Sequence, residues 1–126
     1  MCIWLTKKQA RPKKSRKDRV VYKYMDGNKD GLKALLFPFP YRMNEVHKTK
    51  MGEAVHDTEY TLGFNHNANY KIEAGFYSYA RPHDGYWVWD IKAKCIIPKG
   101  SMYVMNNKGE IVSDTIKIIE ILEERY

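Results

Sequence analysis

Eight cationic side chains stand within one stretch near the N-terminus: Lys7, Lys8, Arg11, Lys13, Lys14, Arg16, Lys17 and Arg19, with Asp18 as the one acid among them. Lys and Arg at this density displace counterions from a phosphate backbone, or meet an acidic protein surface. The plainer reading is a solvated segment that keeps the protein in solution. The net charge of +7 resides wholly here, because the rest of the chain balances fourteen bases against fourteen acids. A concentrated run produces a local field that an even coat of charge does not. The expected partner is therefore nucleic acid or an acidic protein, met through charge, since no base-reading motif accompanies the run.

Other chemistries leave weaker traces. Nine of the seventeen aromatic residues fall between Tyr60 and Trp89. Exposed aromatics stack bases, but Trp87 and Trp89 share strand parity with Ile91, Cys95 and Ile97, which places them in a core. Tyr77 and Tyr79 also share a parity and, with Arg81 and His83, are candidates for a pocket. His47, His56, His66 and His83 lie too far apart for a zinc motif, and neither Cys2 nor Cys95 neighbours another ligand. No metal site and no cofactor are expected. Ser78 lies in Gly-Phe-Tyr-Ser-Tyr, which is not a nucleophile elbow, and there is no Gly-rich phosphate loop. The acids Asp57, Glu59, Asp84 and Asp90 have nothing in their setting to distinguish them from solvated carboxylates. Catalysis is not indicated.

These side chains need a scaffold, and 126 residues with 44% hydrophobic content suit one small domain. The composition excludes a coiled coil, a collagen-like repeat and a disulfide-stapled miniprotein. No apolar run approaches the roughly 18 to 20 residues that span a bilayer. The opening Cys2-Ile3-Trp4-Leu5 precedes its bases, unlike a secretory signal peptide. A cytoplasmic protein with no membrane partner is expected, its cysteines reduced.

Residues 87–97 alternate apolar with polar side chains, the signature of a strand with one buried face. Pro98, Lys99 and Gly100 stop it. Ser101 to Met105 reads as a strand, Asn106 to Gly109 as a hairpin turn, and Glu110 to Ser113 as the return. The isoleucine-rich Thr115 to Leu122 favours a strand over a helix, with Glu123, Glu124 and Arg125 as its exit. Val20 to Met25 and Ile72 to Tyr79 read as strands, with Asp26 to Gly31 as a turn. Ile3 to Leu5 is a short partner strand, which makes 6–19 a basic loop tethered at both ends, or else an arm. A helical turn is expected at Leu32 to Phe37, and a loop or short helix near Lys50 to His56. The fold class is α+β and β-rich: a single domain over 1–126 with a twisted, mostly antiparallel sheet and one or two short helices.

Cys95-Ile96-Ile97-Pro98-Lys99-Gly100-Ser101, Tyr103, Glu110 and Ser113 together resemble a segment of short uncharacterised proteins from gut Bacteroidales and their phages. Met1-Cys2, Tyr22-Lys23, Gly75, Phe76 and Ser78 are similar to that group's opening and middle. The group carries His where this chain has Tyr77, so the resemblance transfers no histidine-based activity. It implies a phage or mobile-element origin and an intracellular setting. The leading expectation is a small accessory protein that uses Lys7 to Arg19 to bind nucleic acid or an acidic protein. Two alternatives stand beside it: a small enzyme or nucleotide-ligand binder around Tyr77 to His83, and a phage structural or host-inhibitory protein with an aromatic interface.

Overall fold

Alternation along residues 91–97 is the clearest pattern in the chain, and it is met in space: Ile91, Ala93, Cys95 and Ile97 are buried while the residues between them are half-exposed. The computed structural model describes residues 3–28, 31–34, 40–56, 70–72, 74–82 and 91–124. In chain order the strands are β1 (Ile3–Leu5), β2 (Lys13–Lys14), β3 (Arg19–Asn28), β4 (Gly31–Ala34), β5 (Pro40–Tyr41), β6 (Val46–Lys48) and β7 (Val55–His56). They continue as β8 (Tyr70–Ile72), β9 (Phe76–Tyr79), β10 (Ile91–Ile97), β11 (Met102–Met105), β12 (Glu110–Ser113) and β13 (Thr115–Glu124).

Ten strands form one sheet, ordered β2-β11-β12-β9-β3-β10-β13-β6, with β4 and β5 attached through β3. The strand pairings are antiparallel, as expected. A second sheet orders β1-β8-β7, also antiparallel. β3 and β13 flank β10, setting Val21 and Ile118 beside Cys95. These residues, with Met25, Phe76, Ile91, Ile97, Ile111, Ile116 and the ring of Tyr103, make the main core.

β11 and β12 are buried on both faces. Tyr103 and Ile111 enter the main core, while Val104 and Val112 face a second cluster with Ile3, Leu5, Ala10 and Ile72. The small sheet therefore packs on the outer face of the β11–β12 pair. Each large aliphatic residue buried there contributes roughly 1.5–3 kcal/mol by leaving water.

Several expectations need correction. No helix occurs among the described residues, so the α component of the fold class falls away there. Leu32 to Ala34 belong to β4, where Leu32 pairs with Gly27 and Tyr41. Near Lys50 to His56, residues 50–54 are the expected loop and the alternative short helix is absent, because the backbone donors are directed to distant acceptors. The N–H of Gly52 donates to Ala74 O at 2.9 Å, and that of Thr49 to Asp114 O at 2.8 Å. Val55 and His56 then pair with β8. A helix would need those donors for its own carbonyls.

The single strand expected over Ile72 to Tyr79 is two strands in different sheets, broken at Gly75, whose φ is 139°. Within the span Asp26 to Gly31, expected as a turn, β3 extends through Asn28, which pairs with Gly31 of β4, and residues 29 and 30 lie outside the described residues. Glu123 and Glu124 remain inside β13 rather than marking its exit. Trp87 and Trp89, with their expected core packing, lie outside the described residues.

Candidate functional site

The cationic segment is laced onto the fold along its length. At its start the N–H of Thr6 donates to Gln9 Oε1 at 2.9 Å, and that of Gln9 to Thr6 Oγ1 at 3.2 Å, a reciprocal cap. The N–H of Ala10 donates to Thr6 O at 2.9 Å and closes a single turn, with the Ala10 side chain buried in the second cluster. Lys13 and Lys14 then form the edge strand β2, pairing with Tyr103 and Met102 of β11. Ser15 is 1% exposed. Its N–H donates to Ser101 O at 2.7 Å and its carbonyl accepts from Gly100 N–H at 2.8 Å. Ser15 Oγ donates to Lys17 O at 2.6 Å, and Asp18 Oδ1 accepts the Lys99 N–H at 2.8 Å.

Residues 98–101, readable in the sequence as a turn, thus clamp the cationic segment. Gly100, at φ 91°, supplies the backbone geometry. The clamp also brings Lys99 to the segment from eighty residues away, a contribution that sequence spacing alone could not disclose.

Between the segment and the turn lies a groove of about 1060 Å³. Lys13, Lys14, Arg16, Lys17, Arg19 and Lys99 line it together with Tyr103, and no carboxylate does. None of these six cations makes an ion pair among the described residues. Lys8, Arg11 and Lys13 line a smaller hollow of about 150 Å³ that shares Tyr103 with the groove. Lys7 is exposed in the opening turn and lines neither hollow. Seven of the eight expected cations therefore converge on two adjoining depressions.

Arg19 is the best-positioned of them. Its Cζ lies 4.6 Å from the centroid of the Tyr103 ring, a cation–π contact. Tyr103 is 7% exposed, so the ring forms a fixed floor under the guanidinium. Arg19 Nε is buried with no hydrogen-bond partner among the described residues.

The second expected cluster does not assemble as a unit. Tyr79 and Arg81 line a hollow of about 500 Å³ with Asn106, Asn107 and Lys108. Tyr77 turns into the second hydrophobic cluster, its hydroxyl donating to Ile72 O at 2.8 Å. His83 lies outside the described residues. Asn106 is committed to its own turn: Oδ1 accepts the N–H groups of Lys108 and Glu110, both at 3.0 Å, and Nδ2 donates to Glu110 Oε1 at 2.9 Å. The hollow thus has few free polar groups converging on a ligand. Among the described residues no Phe, Tyr or Trp is exposed, and the large exposed apolar side chains are aliphatic: Val20, Met43, Val46, Val55, Met105 and Leu122.

A lysine lies at the main core, beside Cys95 and Tyr41. Lys23 is 6% exposed, and its Nζ donates to Tyr77 O at 2.6 Å and sits 5.3 Å from the Tyr41 ring centroid. Desolvation lowers its pKa from 10.5 to about 8. Burial also pushes the Cys95 thiol up to about 12, partly offset by the Lys23 charge, and raises the Tyr41 phenol above its ordinary value. A thiol held so far from ionisation is a poor nucleophile. Cys95 is free of any disulfide.

Among the described residues no group of three or more His, Cys, Asp and Glu gathers, and no helix is long and apolar enough to cross a membrane. Comparison with protein-family models, curated proteins and solved structures found no match for this chain.

Proposed function

We propose that this chain is a small accessory protein that binds nucleic acid in the groove between residues 13–19 and the 98–101 turn. The observation that carries this reading is the set of six cations lining one groove with no carboxylate and no ion pair among the described residues. Like charges gathered without counter-charges repel one another, and a polyanion relieves that repulsion while releasing its own counterions. The groove is open and continuous with the hollow under Lys8 and Arg11, which suits a chain of phosphates better than a single small anion. An accessory role for a mobile element, in the host cytoplasm, is part of the same proposal.

The test is an anisotropy titration of labelled oligonucleotides at several salt concentrations. Six phosphate contacts predict a slope of log K on log salt of about −4 for a single strand and about −5 for a duplex. Changing Lys13, Lys14, Arg16 and Lys17 together to Ser removes four contacts, and should bring the single-strand slope to about −1.4. A salt-independent affinity, or none at low salt, would overturn the reading. Equal affinity for polyglutamate of matched length would transfer the groove to an acidic protein.

A further inference from the structure

We infer that the groove takes single-stranded nucleic acid, with one base laid on the outer face of the Arg19 guanidinium. The inference rests on the groove being the nucleic-acid site, and it adds which form is bound and where the base goes. The Cζ of Arg19 lies 4.6 Å from the centroid of the Tyr103 ring, and both residues line the groove. Among the described residues no hydrogen bond or ion pair engages its side chain, including the buried Nε. A planar cation carrying five donors thus lies against the ring with none of those donors engaged among the described residues.

A base edge or phosphate oxygen entering the groove satisfies the outward-facing donors without disturbing the stack. Bases stack on Arg guanidinium planes as they do on aromatic rings, and the buried Tyr103 beneath keeps the plane from rotating away.

The contact between Arg19 and Tyr103 favours an unpaired strand. The groove, open and about 1060 Å³, has room for a base with its sugar and phosphate. In a duplex the bases are stacked on one another, so the protein would meet only phosphates and Arg19 would act as one charge among six. Lys13, Lys14, Lys17 and Lys99 at the rim are suited to phosphates flanking the inserted nucleotide.

The experiment compares oligothymidylate, an abasic strand of the same length and charge, and a duplex, each titrated into the full chain at low salt, with Arg19→Lys beside the wild type. Wild type should bind oligothymidylate about tenfold more tightly than the abasic strand. Arg19→Lys keeps the charge but removes the plane. It should bring oligothymidylate to the abasic level while the salt slope stays the same. Equal wild-type affinity for thymidine-bearing and abasic strands overturns the inference and leaves the polyanion groove standing. A base-dependent gain that survives Arg19→Lys overturns the placement on Arg19. Failure of all three nucleic acids to bind overturns the proposed function itself. The abasic comparison uses wild type only, so it stays decisive if the variant folds poorly.

Discussion

Lys23 shows how one residue can work against the fold that holds it. The side chain is 6% exposed, its ammonium near Tyr41 and Cys95, with the Tyr77 carbonyl as acceptor 2.6 Å away. Desolvation is the larger influence on its pKa, which falls from 10.5 to about 8. The folded state therefore binds the proton less tightly than the unfolded state. Below pH 8 both states are protonated, and folding bears the full cost of burying the charge. As pH rises through 8 the folded state releases its proton while the unfolded state keeps it, so stability increases toward 10.5. Between pH 7 and 9 the gain is about 1 kcal/mol. Cys95, with its folded pKa raised from 9.0 to about 12, acts in the opposite direction above pH 9, which sets the upper end of the window. Urea midpoints across this range should rise in the wild type and stay level in Lys23→Met. The variant should also be more stable at pH 7 by about 1–2 kcal/mol, because removing a desolvated charge outweighs the lost hydrogen bond to Tyr77 O. A level wild-type profile would show that water reaches the ammonium.

At the scale of elements, legibility followed locality. The hairpin of β11 and β12 is readable because Asn106 to Gly109 is a compact turn between two short apolar strands, and Gly109 does take a positive φ of 78°. The buried face of β10 was readable from its alternation over residues 91–97. What escaped depended on distant partners. Nothing near Gly52 indicates that its N–H will bond to Ala74 O, and nothing near Ser15 points to the residues 100–101 that clamp it. The cations of the site were legible as a charge run, whereas Lys99 and Tyr103 reach the groove only through that clamp. Gly75 is the instructive failure. Ile72 to Tyr79 looks like one strand, but a Cβ at Gly75 would stand 2.4 Å from Val112 Cγ1 and 3.1 Å from Ser113 O, on a backbone at φ 139°. The glycine lets the chain leave β8 in the small sheet and enter β9 in the large one against the surface of β12. Gly75→Ala should therefore cost about 3 kcal/mol or more, combining an unfavourable φ with overpacking against Val112. A urea midpoint within about 1 kcal/mol of wild type would mean that the crossing relaxes without the glycine.

Across the whole molecule, the cationic segment is continuous with the structural core. Ile3, Leu5 and Ala10 precede or interrupt the run of cations and lie with Val104, Val112 and Ile72 in the second cluster, while β2 pairs with β11 on the same face-sharing element. Because β11 and β12 present Tyr103 and Ile111 to one cluster and Val104 and Val112 to the other, neither cluster can be lost without exposing a face of strands the other needs. The groove then holds its cations at fixed positions by virtue of the fold, so that under the proposed function a polyanion would bind without first ordering a tail. Leu5 tests this coupling from within the second cluster. It is 0% exposed, and Leu5→Ala should cost about 2–5 kcal/mol. If the clusters unfold together, tryptophan fluorescence and far-ultraviolet circular dichroism shift by the same amount along urea in one transition. Two separated transitions, with the main core persisting after the first, would mean that the small sheet and the cationic segment detach as a unit, and that the groove forms and dissolves independently of the core beneath it.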